Sequence, residues 1–195
     1  MVEPNIESAG GKRRYEVTAP GSPTRIPAER SPPAHGPPAD GAHFPVVAIG
    51  ASAGGLEAVS KLFSGLAPHS GIAYILVQHL DPTHASMMVD LLAQHTAMTV
   101  VQAEEGAAIA PDHLYIIPPG CYLSVRAGAL HLSSPPNGQG VRLPLDLLLR
   151  SLADDAGPRA ACIVLTGTGT DGTLGLPSFK EKGGLIIAQT PEEAE

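Results

Sequence analysis

A serine, a histidine and an aspartate each stand just past a short apolar run, and together these residue types can carry out acyl transfer. Val46-Val47-Ala48-Ile49 runs into Gly50-Ala51-Ser52-Ala53-Gly54-Gly55, which places Ser52 on a sharp, glycine-flanked turn between a strand and a helix. Tyr74-Ile75-Leu76-Val77 ends in Gln78-His79. Cys162-Ile163-Val164-Leu165 ends in Thr166-Gly167-Thr168-Gly169-Thr170-Asp171-Gly172. In an open parallel sheet the carboxyl ends of strands share one edge, where such folds bind ligands, so Ser52, His79 and Asp171 can meet there as nucleophile, base and orienter. A serine needs a base to take its proton. The base in turn needs a carboxylate to hold its tautomer and to offset the imidazolium charge.

Each residue also has a plainer reading. Gly50 to Gly54 matches G-x-S-x-G, a moderately specific pattern that equally describes a tight strand-to-helix turn with Ser52 as a cap. His79 after a strand can be a satisfied structural histidine. Asp171, followed by Gly172 and Thr173, can cap the next helix. What favours the chemical reading is the coincidence of all three at strand ends. Other uses of the glycines fail: Leu56-Glu57 stands where a P-loop needs Lys and Ser or Thr, and Ser52 takes the second glycine of a dinucleotide fingerprint. No cofactor is expected. Metal-ligand spacing is also lacking, since no H-E-x-x-H occurs and Cys121 and Cys162 lie far apart, so no metal is expected and Cys162 reads as strand core.

The elements that must position these residues follow from periodicity. Leu56, Val59, Leu62, Phe63 and Leu66 lie on one helical stripe that Pro68 ends. A second helix over Thr83 to His95 is expected to bury Met87, Met88, Leu91 and Leu92. Residues 99–132 change character, with short β-prone pieces such as Leu114-Tyr115-Ile116-Ile117 and Cys121-Tyr122-Leu123-Ser124-Val125 set between turns, which reads as a hairpin-like excursion. Pro144 opens a helix with Leu145, Leu148, Leu149 and Leu152 in register. Lys180-Glu181-Lys182-Gly183 then closes a helix ahead of the strand Leu185-Ile186-Ile187-Ala188. Alternating strands and helices predict a three-layer α/β/α fold with a mostly parallel, Rossmann-like sheet and a small β-hairpin excursion.

Composition narrows the function classes. Residues 1–45 hold nine of the 20 prolines, balanced charges and no apolar period, so they read as a disordered Pro-rich tail ahead of a folded unit at 46–195. The whole net charge of −7 falls in that unit, where 7 Lys and Arg face 14 Asp and Glu. This is the wrong sign for a nucleic-acid binder. No signal-peptide pattern and no apolar run approaching the ~20 residues of a membrane span occur, so a cytoplasmic protein without membrane insertion is expected. Thr190-Pro191-Glu192-Glu193 has the form of a helix start, and the sequence ends two residues later. A truncated carboxyl end is the expectation.

The segments Ile49 to Gly55, Val77-Gln78-His79 and Leu165 to Gly172 resemble the signature stretches of CheB-type chemotaxis methylesterases, as does Leu143-Pro144-Leu145-Asp146 leading to Arg150-Ser151-Leu152-Ala153. The resemblance runs in the family's order from about Val46 to the last residue. It implies that Ser52 attacks, His79 is the base and Asp171 orients it, with the Thr168 backbone in the oxyanion hole. It also implies hydrolysis of glutamate γ-methyl esters on chemoreceptors and, in some members, deamidation of receptor glutamines. The implied partners are methylated chemoreceptor cytoplasmic domains or related signalling proteins. Ala53 stands where many members carry threonine, and Thr168 where many carry methionine. No phosphorylatable receiver domain fits in the first 45 residues. The arrangement is more similar to the amino-terminal unit of hybrid proteins, in which a methyltransferase and sensory domains follow in a longer chain. Two alternatives stay open: a non-catalytic docking module of the same fold, and a small-ester α/β-hydrolase, whose triad order of Ser, acid, His differs from the one here.

Overall fold

The computed structural model describes residues 43–52, 55–78, 85–135, 143–165 and 170–190. The expected tail up to residue 42, His79, Thr168 and the helix start from Pro191 lie outside them.

Six strands form one sheet in the order β3-β4-β2-β1-β7-β8, and every neighbouring pair is parallel. These are β1 (Val46–Ala51), β2 (Ala73–Gln78), β3 (Thr99–Gln102), β4 (His113–Ile116), β7 (Ala160–Val164) and β8 (Leu185–Ala188). Between them in sequence, β5 (Tyr122–Arg126) and β6 (Ala129–Ser133) pair only with each other, as an antiparallel hairpin. The β-branched, unbroken apolar runs of β1 and β2 suit strands covered on both faces, and all of β2 is buried.

Alternation along the strands sorts side chains into two cores. Val47, Ile49, Tyr74 and Leu76 face the layer of α1 (Leu56–Gly65) and α2 (Ala85–Ala93), where Val59, Phe63, Met88 and Leu92 are buried. Phe63 meets Tyr74 edge-to-face at 5.3 Å. Val46, Ala48, Ile75 and Val77 face the opposite layer, built from α3 (Pro144–Ala156), α4 (Gly175–Glu181) and the inner side of the hairpin. Burying a side chain such as the fully enclosed Phe179 of α4 contributes roughly 1.5–3 kcal/mol. The architecture is thus the expected α/β/α, with two refinements. β3 and β4 belong to the main sheet, so the excursion shrinks to β5 and β6. Of the four α2 residues expected in the core, Met88 and Leu92 are buried and Leu91 half-buried, because adjacent residues of a helix stand about 100° apart and Met87 points away, 56% exposed.

The route of the chain locates the crevice. From the central β1 it passes through α1 to β2 on one side, and later through α3 to β7 on the other, with the two helices on opposite faces. The strand order reverses at β1. In open α/β sheets a ligand binds outside the carboxyl ends of the strands at this reversal.

Candidate active site

Ser52 is the first residue past β1 and is partly exposed at the carboxyl edge. Its carbonyl accepts the Gly55 N–H at 2.8 Å, which closes the turn, and the Gln78 Nε2–H at 3.2 Å from the end of β2. The cap position of α1 is Gly55, with no side-chain cap bond, so Ser52 does not serve as that helix's cap. β1 and β7 stay paired to this edge, where the Leu165 N–H donates to the Gly50 carbonyl at 2.9 Å. Gln78, which immediately precedes His79 in sequence, is the partner of Ala51 in the β1–β2 register.

Asp171 lies beyond the end of β7, and its carboxylate is anchored on a helix N-terminus. Oδ2 accepts the Leu145 N–H at 3.0 Å and Oδ1 the Asp146 N–H at 3.1 Å, two of the donors that the first turn of α3 leaves unpaired. The positive end of that helix favours a carboxylate there. Asp171 therefore does cap a helix, but the one before it in sequence; the cap position of α4 is Leu174, without a side-chain cap bond.

One side chain ties the two halves together. Leu145 packs so closely over the sheet edge that a Cβ on Gly50 would stand 2.4 Å from its Cδ2, and one on Gly172 2.9 Å. A side chain at either place would have to displace Leu145, and Gly172 also has a φ of +100°, which favours glycine. The residue two before Ser52 and the residue after Asp171 thus touch the same leucine. Cys162, by contrast, is enclosed in the core, where burial pushes its thiol up to about 12, so it stays neutral and is no rival nucleophile.

Two residues at the site escape the sequence reading. Gln78 and Asp146 are the polar side chains buried among the described residues. Each leaves a detectable signal. Gln78 closes an otherwise apolar strand, and Asp146 sits on the buried stripe of α3 at helical spacing from Leu149, Ala153 and Ala156. Among the described residues no group of three or more His, Cys, Asp or Glu is arranged to hold a metal ion, and no helix is long and apolar enough to cross a membrane.

A parallel α/β/α sandwich with a glycine-flanked serine at its switch point and an aspartate anchored on the N-terminus of α3 defines the class. Within it, the chain belongs to the CheB methylesterase family, which it matches over residues 47–195. It is similar to the protein-glutamate methylesterase FrzG of Myxococcus xanthus, 38% identical over 169 residues, covering 85% of this chain and 49% of that protein. It is 36% identical over 148 residues to a protein-glutamate methylesterase/protein-glutamine glutaminase of Xanthomonas campestris pv. campestris, covering 74% of this chain and 41% of the other. The chain spans about half the length of these relatives or less. The crystal structure of the Thermotoga maritima CheB methylesterase catalytic domain superposes with a TM-score of 0.71 at 28% identity, covering 77% of this chain and 82% of that one. Family membership sets aside the α/β-hydrolase alternative.

Proposed function

We propose that residues 46–195 carry a protein-glutamate methylesterase site in which Ser52 is the nucleophile, His79 the base and Asp171 its orienter. The observation that carries the proposal is the shared packing of Leu145 on Gly50 and Gly172, which supports Ser52 and Asp171 acting at one edge. His79 directly follows β2, the other neighbour of β1. The names of the relatives support protein-glutamate methyl esters as the substrate class, and the family resemblance of the sequence supports their presentation by the cytoplasmic domains of methylated chemoreceptors or related signalling proteins. A cytoplasmic location goes with that substrate.

In the proposed chemistry the Ser52 hydroxyl attacks the ester carbonyl as His79 takes its proton. Backbone N–H groups, including that of Thr168, receive the oxyanion. His79 then returns the proton to the departing methanol, and water repeats the sequence to free the glutamate. Asp171, fixed on the α3 N-terminus, holds the histidine tautomer and offsets its charge. The same steps convert a glutamine amide to glutamate with ammonia as the leaving group, the second activity in the name of the Xanthomonas relative.

The test is hydrolysis of p-nitrophenyl acetate and of a peptide bearing a glutamate γ-methyl ester. Ser52→Ala is expected to lower kcat by about 10⁶-fold. An unchanged rate would refute the assignment, and a folded wild-type chain inert toward both esters would favour the docking module.

A further inference from the structure

Asp146 is an acid enclosed among leucines. It is 4% exposed, its Oδ2 has no hydrogen-bond partner among the described residues, and Leu145, Leu148 and Leu149 beside it are all buried. An apolar residue would fill this place on the α3 stripe at less cost, since an unpaired buried oxygen is expensive. The reason for a carboxylate lies in what Asp146 holds. Its backbone N–H donates to Asp171 Oδ1 at 3.1 Å. Its side-chain Oδ1 accepts the N–H of Gly175, the first residue of α4, at 2.5 Å. The turn from Asp171 to Gly175 is therefore clasped at both ends by one residue. Within the turn, Gly175 N–H also reaches the Gly172 carbonyl at 3.1 Å.

The joint is close-packed as well as bonded. A Cβ on Gly175 would stand 3.0 Å from Leu149 Cβ and 3.1 Å from the Asp146 carbonyl oxygen, so the start of α4 lies directly on the first turns of α3. The backbone N–H and the side-chain Oδ1 of Asp146 both go to the turn that carries Asp171.

We infer that Asp146 is the positioning residue of this site: its carboxylate holds the start of α4 against α3, and so keeps the Asp171 carboxylate aimed at the reacting edge. The inference rests on the reading of Asp171 as the orienting acid. Without the Asp146 carboxylate the far end of the turn is released, while the two α3 N–H groups remain to bind Asp171 in an altered direction. Asp171 then loses its aim rather than its charge.

The experiment measures kcat and KM for p-nitrophenyl acetate with the whole chain carrying Asp146→Ala, Asp146→Asn, Gly175→Ala or Asp171→Asn. Asp146→Ala is expected to lower kcat by about 10²-fold, the scale of a displaced catalytic group, with KM unchanged. Asp146→Asn, whose amide oxygen still accepts the Gly175 N–H, should recover most of that loss. A folded Asp146→Ala chain with wild-type kcat overturns the inference, and so does an Asp146→Asn chain as slow as Asp146→Ala. Should Asp146→Ala fail to fold, Gly175→Ala decides, because its added methyl stretches the same joint with the acid intact. A lowered kcat at unchanged KM supports the inference, and wild-type kcat overturns it. Asp171→Asn separates the two levels: full activity there sinks the triad reading itself, whereas a slow Asp171→Asn beside a fast Asp146→Ala sinks only the role of Asp146.

Discussion

Ser52 and Asp171 are held by opposite means. The serine is fixed by its own neighbourhood, a strand end and a turn closed three residues later by Gly55, with Gln78 of the adjacent strand adding one bond. The aspartate is fixed from far away in sequence, by backbone donors of α3 that lie 25 and 26 residues upstream. A local turn survives modest shifts of the surrounding layers. An acid hung on another helix does not, because its direction depends on how α3 and α4 seat on the sheet.

This contrast sets the order of expected effects. Asp171→Asn should cost about 10⁴-fold in kcat, as the corresponding change does in serine proteases, while the turn around Ser52 stays intact. Losing one acceptor for the α3 N–H groups should also cost stability on the scale of a helix cap, about 1 kcal/mol. A rate within a few-fold of wild type would leave Asp171 as a helix cap alone. Next comes Gly50→Ala, which drives a methyl into Leu145 Cδ2 and should destabilise the fold by about 1–3 kcal/mol in denaturant titration. Because Leu145 also covers Gly172, turnover should fall with it; a folded Gly50→Ala chain of normal stability and rate would show that the two halves are not joined through this leucine.

The smallest effect belongs to Glu105, an exposed acid that holds the end of the hairpin strand β6. Glu105 accepts the Leu132 N–H and lies 3.0 Å from His131 Nδ1, and these contacts, the Leu132 amide first, hold its carboxyl below its ordinary 4.5. A depressed folded value means stability that is present above the unfolded value and lost as pH falls through the folded one. The Tm gap between wild type and Glu105→Gln should therefore be small at neutral pH and close below about pH 4.5. A gap that persists in acid contradicts this, and a changed esterase rate would show the hairpin coupled to the site.

The same contrast explains what the sequence made legible. The Ser52 turn, the buried runs of β1 and β2, the strand β7 and the stripe of α1 are local patterns, and all appear where their spacing put them. Asp171 was legible as a strand-end acid, but its cap on α3 was not, since a capping pattern points only to the helix that follows. β3 and β4 were misplaced for a related reason. They lie parallel and adjacent with no helix between them, a connection that short β-prone pieces do not announce. Asp146 and Gln78 were visible as polar residues on apolar faces, and only the structure shows what they hold.

The central claim is that Ser52 is activated by His79 under the direction of Asp171. Its most direct measurement is the rate at which a fluorophosphonate labels Ser52 in wild type, His79→Ala and Asp171→Asn, with the labelled residue identified by peptide mass. The account predicts rapid labelling of Ser52 alone in wild type, with a large loss of rate in both variants while their folds persist. Equal labelling rates in all three chains, or a label on any residue other than Ser52, would contradict it.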